Sequence, residues 1–131
     1  MNPPSVDIKD YFEDSANSIG TFGQDLFIGN EPDAPDNCMT IFDTGGENSE
    51  VNYVYDRPTV MVRVRGAVDE YVIAYNKAAE IKSLLHGKTG LSINSTRYIG
   101  VWLMGDVFYN GRDEKNRPIF SVNFLIHRTP A

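Results

Sequence analysis

The chain has 131 residues, 12 lysines and arginines against 18 aspartates and glutamates, and a formal charge of -6 at pH 7. That leaves room for one domain, 1–131, and sets up a field that repels a phosphate backbone, so a direct nucleic-acid role would need a local basic patch; Arg63 with Arg65 is the best linear candidate. The single Cys38 cannot close an internal disulfide. No apolar run nears the roughly 20 residues of a membrane span, and the start lacks an export signal, so a soluble chain without a membrane partner is expected.

Val6 to Ile19 places Ile8, Tyr11, Phe12 and Ile19 on roughly one face, which predicts a short amphipathic helix with Ser5 available as its cap. Leu26 to Ile28 reads as a brief strand. Asn30 to Asn37 is a polar loop in which Pro32 and Pro35 restrict φ and remove two backbone donors, so it should be stiff. Cys38 to Phe42 is a strand, and Gly45 and Gly46 after Asp43-Thr44 permit a turn. Glu47 to Tyr55 fits either a strand edge or an ordered loop.

Thr59 to Arg65 alternates, with Val60, Val62 and Val64 facing one way and Met61, Arg63 and Arg65 the other, so one side is core and the arginines read as solvated surface. Asp69 to His86 then switches to helical period. Tyr71, Val72, Tyr75, Ala78, Ala79, Leu84 and Leu85 form the apolar stripe, opposed by Glu70, Asn76, Lys77 and Glu80. Ile73 falls on that polar side, which makes it the leading helix residue for a subunit contact. After the turn-rich GKTGLSINSTR, Ile99 to Phe108 reads as a strand apolar on both faces. RPIFSVNFLIHR alternates Phe120, Val122, Phe124 and Ile126 against Ser121, Asn123 and His127, and NGRDEKNR between these strands suits a hairpin loop. The expected fold is α+β: a mixed, mainly antiparallel sheet packed against a long central helix and a short N-terminal helix.

Catalytic patterns fail one by one. Asp43-Thr44-Gly45 has the form of an aspartic protease motif, but that chemistry needs two carboxylates sharing a proton, and the one small dimeric class is nearly all strand. His86 and His127 have no ligand at metal-binding spacing, and Asp33, Asp36 and Asp43 lack the dense oxygen pattern of a calcium loop. Gly-Lys-Thr after His86 follows a helix instead of entering one, so it is no phosphate loop. Cys38 reads as a small buried hydrophobe. No catalytic residue, metal or cofactor is expected. Most aromatics, Trp102, Tyr53, Tyr55, Phe108 and Tyr109 among them, read as core or core edge, the remainder as interface.

LFIGNEPDAPDNCMTIFDTGG, Leu26 to Gly46, resembles a segment of the phage minor capsid family, the tail terminator proteins of long-tailed bacteriophages. GRDEKNRPIFSVNFLIHR is similar to that family's closing hairpin, although KNR replaces a tighter asparagine-glycine turn. The resemblance covers nearly the whole chain. It implies a non-enzymatic virion subunit, made in the bacterial host cytoplasm, that self-associates into a closed ring, typically a hexamer. The ring would sit at the head-tail junction, contact the tail tube protein and a head-completion or connector protein, and pass genomic DNA through its lumen without specific binding. Carried over residue by residue, Pro32 and Pro35 would stiffen a loop, Asp33 and Asp36 would organise its turns, and Asp43, Thr44, Gly45 and Gly46 would end the strand and shape the next turn. All of these are candidate ring contacts, and Arg112, Asp113 and Glu114 of the hairpin are candidates for contact with a ring neighbour or the tail tube. Another head-tail connector, a tail tube subunit, and more distantly a small hydrolase or ligand-binding domain are the alternatives.

Overall fold

The computed structural model describes residues 1–47 and 55–130. Segment 48–54, which holds Tyr53 and most of the ambiguous Glu47 to Tyr55 stretch, lies outside the described residues. In chain order the elements are α1 (Pro4–Glu13), β1 (Leu26–Ile28), β2 (Cys38–Glu47), β3 (Arg57–Arg65), α2 (Tyr71–Leu85), β4 (Thr89–Ile93), β5 (Thr96–Leu103), β6 (Phe108–Arg112) and β7 (Pro118–Pro130). The strands form one sheet in the order β1-β2-β3-β7-β5-β4, with β6 also on β7. The pairing of β1 with β2 is parallel and the others are antiparallel, so the fold is α+β as expected.

The alternating valines decide which face is buried. Val60, Val62 and Val64 lie opposite Phe124, Val122 and Phe120 on one side, and Val62 and Val64 opposite Ile41 and Met39 on the other, so a single register lines one face with apolar side chains up to Asp43 at its edge. Both helices close that face: Ile8 and Phe12 of α1 and Ala74, Ala78, Ile81 and Leu85 of α2 join the same core. Phe42, Met61 and Leu125 occupy the alternate positions and are half-buried.

Several expectations are corrected. The first helix starts at Pro4 and ends at Glu13 instead of running to Ile19; the chain turns at Ser18, whose φ is 49°, and Ile19 still reaches the core from the loop. Ser5 is inside this helix and does not cap it, the N-cap position being Pro3. The second helix begins two residues later than Asp69, and its buried stripe is Ala74, Ala78, Ile81 and Leu85. Tyr71, Val72 and Tyr75, expected in the stripe, are exposed. Two alanines in the contact let the helix lie close to the sheet, so the buried arc is narrow and the larger side chains stand on its shoulder.

Asp43 to Gly46 does not end its strand. β2 continues to Glu47 through a bulge between Asp43 and Gly46. The glycine is needed there: at Gly46, φ is 141° and a Cβ would stand 2.4 Å from the Arg57 carbonyl oxygen. The turn-rich GKTGLSINSTR contains strand β4 and a tight turn in which Asn94 and Ser95 both take positive φ, with Ile93 opposite Thr96. The single strand expected from Ile99 to Phe108 is two. β5 stops at Leu103, opposite Phe124, and β6 resumes at Phe108, opposite Ser121, on the same side of β7. The expected hairpin between these strands and the last one forms as β6 and β7.

Candidate functional site

The proline loop and the closing hairpin, far apart in sequence, meet at one corner of the sheet through two buried arginines. Arg65 is 3 % exposed, not solvated as its alternation implied. Its Nη2 donates to the carbonyl oxygens of Pro32 (2.6 Å) and Pro35 (2.7 Å), and its Nε to that of Asp36 (3.0 Å). A loop with two prolines is short of donors and rich in acceptors, and the guanidinium supplies what the backbone lacks. Arg117, 5 % exposed, reaches the same loop from the hairpin. Its Nη1 donates to the Asp33 carbonyl at 2.6 Å and to the Asp36 carboxylate at 3.1 Å; Nη2 meets the Asp33 carboxylate at 3.2 Å, and Nε meets Asp113 at 2.8 Å.

Asp113 also accepts the backbone N–H groups of Lys115 (3.0 Å) and Arg117 (2.9 Å), which folds the hairpin loop around its carboxylate. Burial alone would raise its pKa, but the N–H and guanidinium of Arg117 win and hold it below the usual carboxylate value. At Asp33 the hydrogen bond from Lys115, followed by the charges of Lys115 and Arg117, overcomes desolvation and again lowers the pKa. Arg112 donates from Nη1 to the carbonyls of Val68 (2.9 Å) and Asn116 (2.6 Å), tying the hairpin to the approach to α2. Asn37 ties the proline loop to that approach too, accepting from Ala67 N–H at 2.7 Å and donating to Glu70 at 2.6 Å. Glu31 pairs with Arg63 at 3.0 Å.

The other singled-out residues lie elsewhere. The Asp43 carboxylate accepts Ser5 N–H at 3.0 Å and Ser5 Oγ–H at 2.6 Å, so it caps the first turn of α1 from a neighbouring strand. Thr44 and Thr59 share a hydroxyl hydrogen bond of 2.7 Å beside the bulge. Ile73 is 57 % exposed on α2 and Glu114 is exposed at the tip of the hairpin. Thus Pro32, Asp33, Pro35, Asp36, Arg112, Asp113 and Glu114 come together at the corner, while Asp43 to Gly46 and Ile73 stand apart.

Residues 15–130 match the family described as "Bacteriophage tail terminator protein". The chain belongs to that family. Membership makes it a bacteriophage tail structural protein and a component of the virion. A chain from the structure described as "Virion of native gene transfer agent (GTA) particle" superposes with a TM-score of 0.75 at 12 % identity, covering 96 % of this chain and 94 % of that one. At that identity the likeness shows the fold. No curated protein matches the chain. No group of three or more histidines, cysteines or acidic residues able to hold a metal occurs among the described residues, and no described helix is long and apolar enough to cross a membrane.

Sequence reasoning on this family member missed two clusters. Asp7, on the buried side of α1, is fully buried and accepts the Tyr98 hydroxyl and the Asn94 amide (2.9 Å), with Arg128 Nη1 3.9 Å away. Burial and then the hydrogen bond to Asp7 push the Tyr98 pKa up. His127, read on the polar side of its strand, is half-buried between Tyr55 (ring centroids 4.8 Å) and Trp102 (4.6 Å); burial, with the nearby Arg57 charge, lowers its pKa. The signal available for the first cluster was an acidic residue inside the apolar face of a helix. For the second there was none in the linear pattern.

Proposed function

We propose that the chain assembles as a closed ring, typically a hexamer, on the head-proximal end of the tail tube of a long-tailed phage, ends tube polymerisation there and helps join tail to head. The match of residues 15–130 to the tail terminator family carries this reading. The role is structural and uses no catalysis. A net charge of -6 supports a lumen through which DNA passes without being gripped. Contacts with the tube protein on one face and with a head-completion protein on the other follow from the same reading. Ile73 is exposed for a contact with a neighbouring subunit and Glu114 for one with a neighbour or the tube, whereas Asp33, Asp36 and Asp113 are engaged within the subunit.

The test is assembly. Mixed with its tail tube protein, the chain should form rings that stop tube growth and appear on one tube end only, seen by mass measurement across a concentration series and by electron microscopy. Rings that stack without limit would reassign it as a tube subunit. A chain that neither associates nor limits tube length would remove the capping role.

A further inference from the structure

On the side of β5 that faces β4, the hydrogen-bond ladder runs out where the chain comes back from α2. Gly87 N–H donates to the Val101 carbonyl (2.8 Å) and Val101 N–H to the Lys88 carbonyl (3.0 Å), so the returning chain serves β5 as its neighbouring strand. Leu103, two residues on, presents its N–H to the same side, but there the chain is still leaving the last turn of α2: His86 is the C-cap, with its own N–H on the Lys82 carbonyl at 2.9 Å. A side chain fills the missing place in the ladder. His86 Nδ1 accepts Leu103 N–H at 2.9 Å.

A ring nitrogen accepts only while it carries no proton. With Nδ1 turned to Leu103, the neutral imidazole keeps its proton on Nε2; once the ring takes up a second proton both nitrogens are donors, and Nδ1–H would point at the Leu103 N–H. One turn earlier on α2, Lys82 Nζ donates to Asp106 at 2.7 Å, and the same carboxylate oxygen accepts Val107 N–H at 2.7 Å. His86 and Lys82 therefore grip the two ends of one connection, Met104 to Val107, between β5 and β6. The second grip needs an ionised carboxylate. The hydrogen bonds from Lys82 and then from Val107 hold the Asp106 pKa below the usual carboxylate value, so this link is present in weak acid and is lost only as pH falls through that lowered value. Lys88, ahead of β4, is the other ionisable group nearby in the chain; β5 brings Trp102 and Leu103 to this place and β7 brings Asn123 and Phe124, none of which titrates.

We infer that His86 and Lys82 form a two-point strap that holds the β5–β6 connection to the end of α2 and opens in order on acidification, first at Leu103 as the His86 ring takes up a proton and then, in stronger acid, at Asp106. Between the two steps only the Val107 end is strapped to the helix, and the exposed Met104 keeps its own N–H bond to the Asn123 carbonyl (2.8 Å). The strap is a property of the single subunit and does not rest on the ring reading.

The experiment follows ring nitrogens and amide exchange by NMR on the full chain from about pH 8 to 5, the range in which histidine changes charge, and then into stronger acid. At the upper end the His86 ring should show the tautomer with its proton on Nε2. As the ring titrates, the Leu103 amide signal should shift with the same midpoint and its exchange, corrected for the intrinsic effect of pH, should quicken about tenfold, as expected for loss of one hydrogen bond, while the Val101 amide stays protected. Val107 should respond only below this range. His86→Asn puts an amide oxygen, which takes up no proton here, where Nδ1 stood, and should abolish the Leu103 step. A neutral ring protonated on Nδ1, a Leu103 amide indifferent to the titration of the ring, or a Leu103 step that survives in His86→Asn would each overturn the strap at His86. Leu103 and Val107 responding together at the midpoint of the ring would overturn the order of opening.

Discussion

The loop-hairpin corner and the aromatic shoulder of α2 lie on either side of the segment that leads into that helix, and they have opposite characters. The corner holds many charged residues, but Arg117 engages the carboxylates of Asp33, Asp36 and Asp113, and Arg65 the carbonyls of the proline loop, all within the subunit. The shoulder has little sequence distinction and leaves Tyr71, Val72, Tyr75 and Tyr109 open. A motif can therefore mark the part of a subunit that builds its own shape, while the surface left for others is written in residues that look like misplaced core.

The sharpest way to break the contrast is Arg117→Ala. It strands the carboxylates of Asp33, Asp36 and Asp113 and the Asp33 carbonyl without their shared donor. The exposed pairs with Asp33 and Asp36 are screened by water, so the loss comes mainly from the bonds to Asp113 and the Asp33 carbonyl and is about 2 kcal/mol, read as a lower urea midpoint at unchanged slope. Next comes Asp43→Ala, which removes the borrowed cap of α1 and should cost about 1–2 kcal/mol without detaching the bulge. A normal midpoint in that variant would mean that Ser5 finds another acceptor.

Acid should act on the corner more gently. Asp113 and Asp33 have lowered pKa values in the fold. A depressed carboxyl stabilises the folded state fully above its unfolded pKa and loses that contribution as pH falls through the folded value, so the corner should weaken below about pH 4. Urea midpoints across pH 5 to 2 should fall in wild type and fall less in Arg117→Ala; equal slopes would place the acid sensitivity elsewhere. Smallest of all is Val72→Asp. At 65 % exposure it should change folding stability by less than about 0.5 kcal/mol, so this side chain is dispensable to the monomer.

What was legible in the sequence follows from how each element is held. β3 and β7 were readable because Val60, Val62, Val64 and Phe120, Val122, Phe124, Ile126 alternate strictly against one core face. β4 was not, since Leu91 and Ile93 are its only large apolar residues and Asn94-Ser95 lacks the usual glycine of a two-residue turn. The helix stripe was drawn too wide because hydrophobicity does not distinguish a tyrosine on the shoulder from one in the core. The corner was half legible. The stiffness of the Pro32 and Pro35 loop could be read, but its excess of carbonyl acceptors had to be counted before Arg65 and Arg117, fixed by strands distant in sequence, could be expected as its donors.

β7 is paired with β3 on one side and with both β5 and β6 on the other. Until this strand is in place, the half of the sheet made of β1, β2 and β3 and the half made of β4, β5 and β6 share no described strand pairing. Joining the two halves requires contacts between distant parts of the chain, which is the kind of topology that folds slowly. Tyr71, Tyr75 and Tyr109 all rest on Phe120 of β7, so a copy in which that strand is not yet placed lacks the footing of its exposed tyrosine cluster.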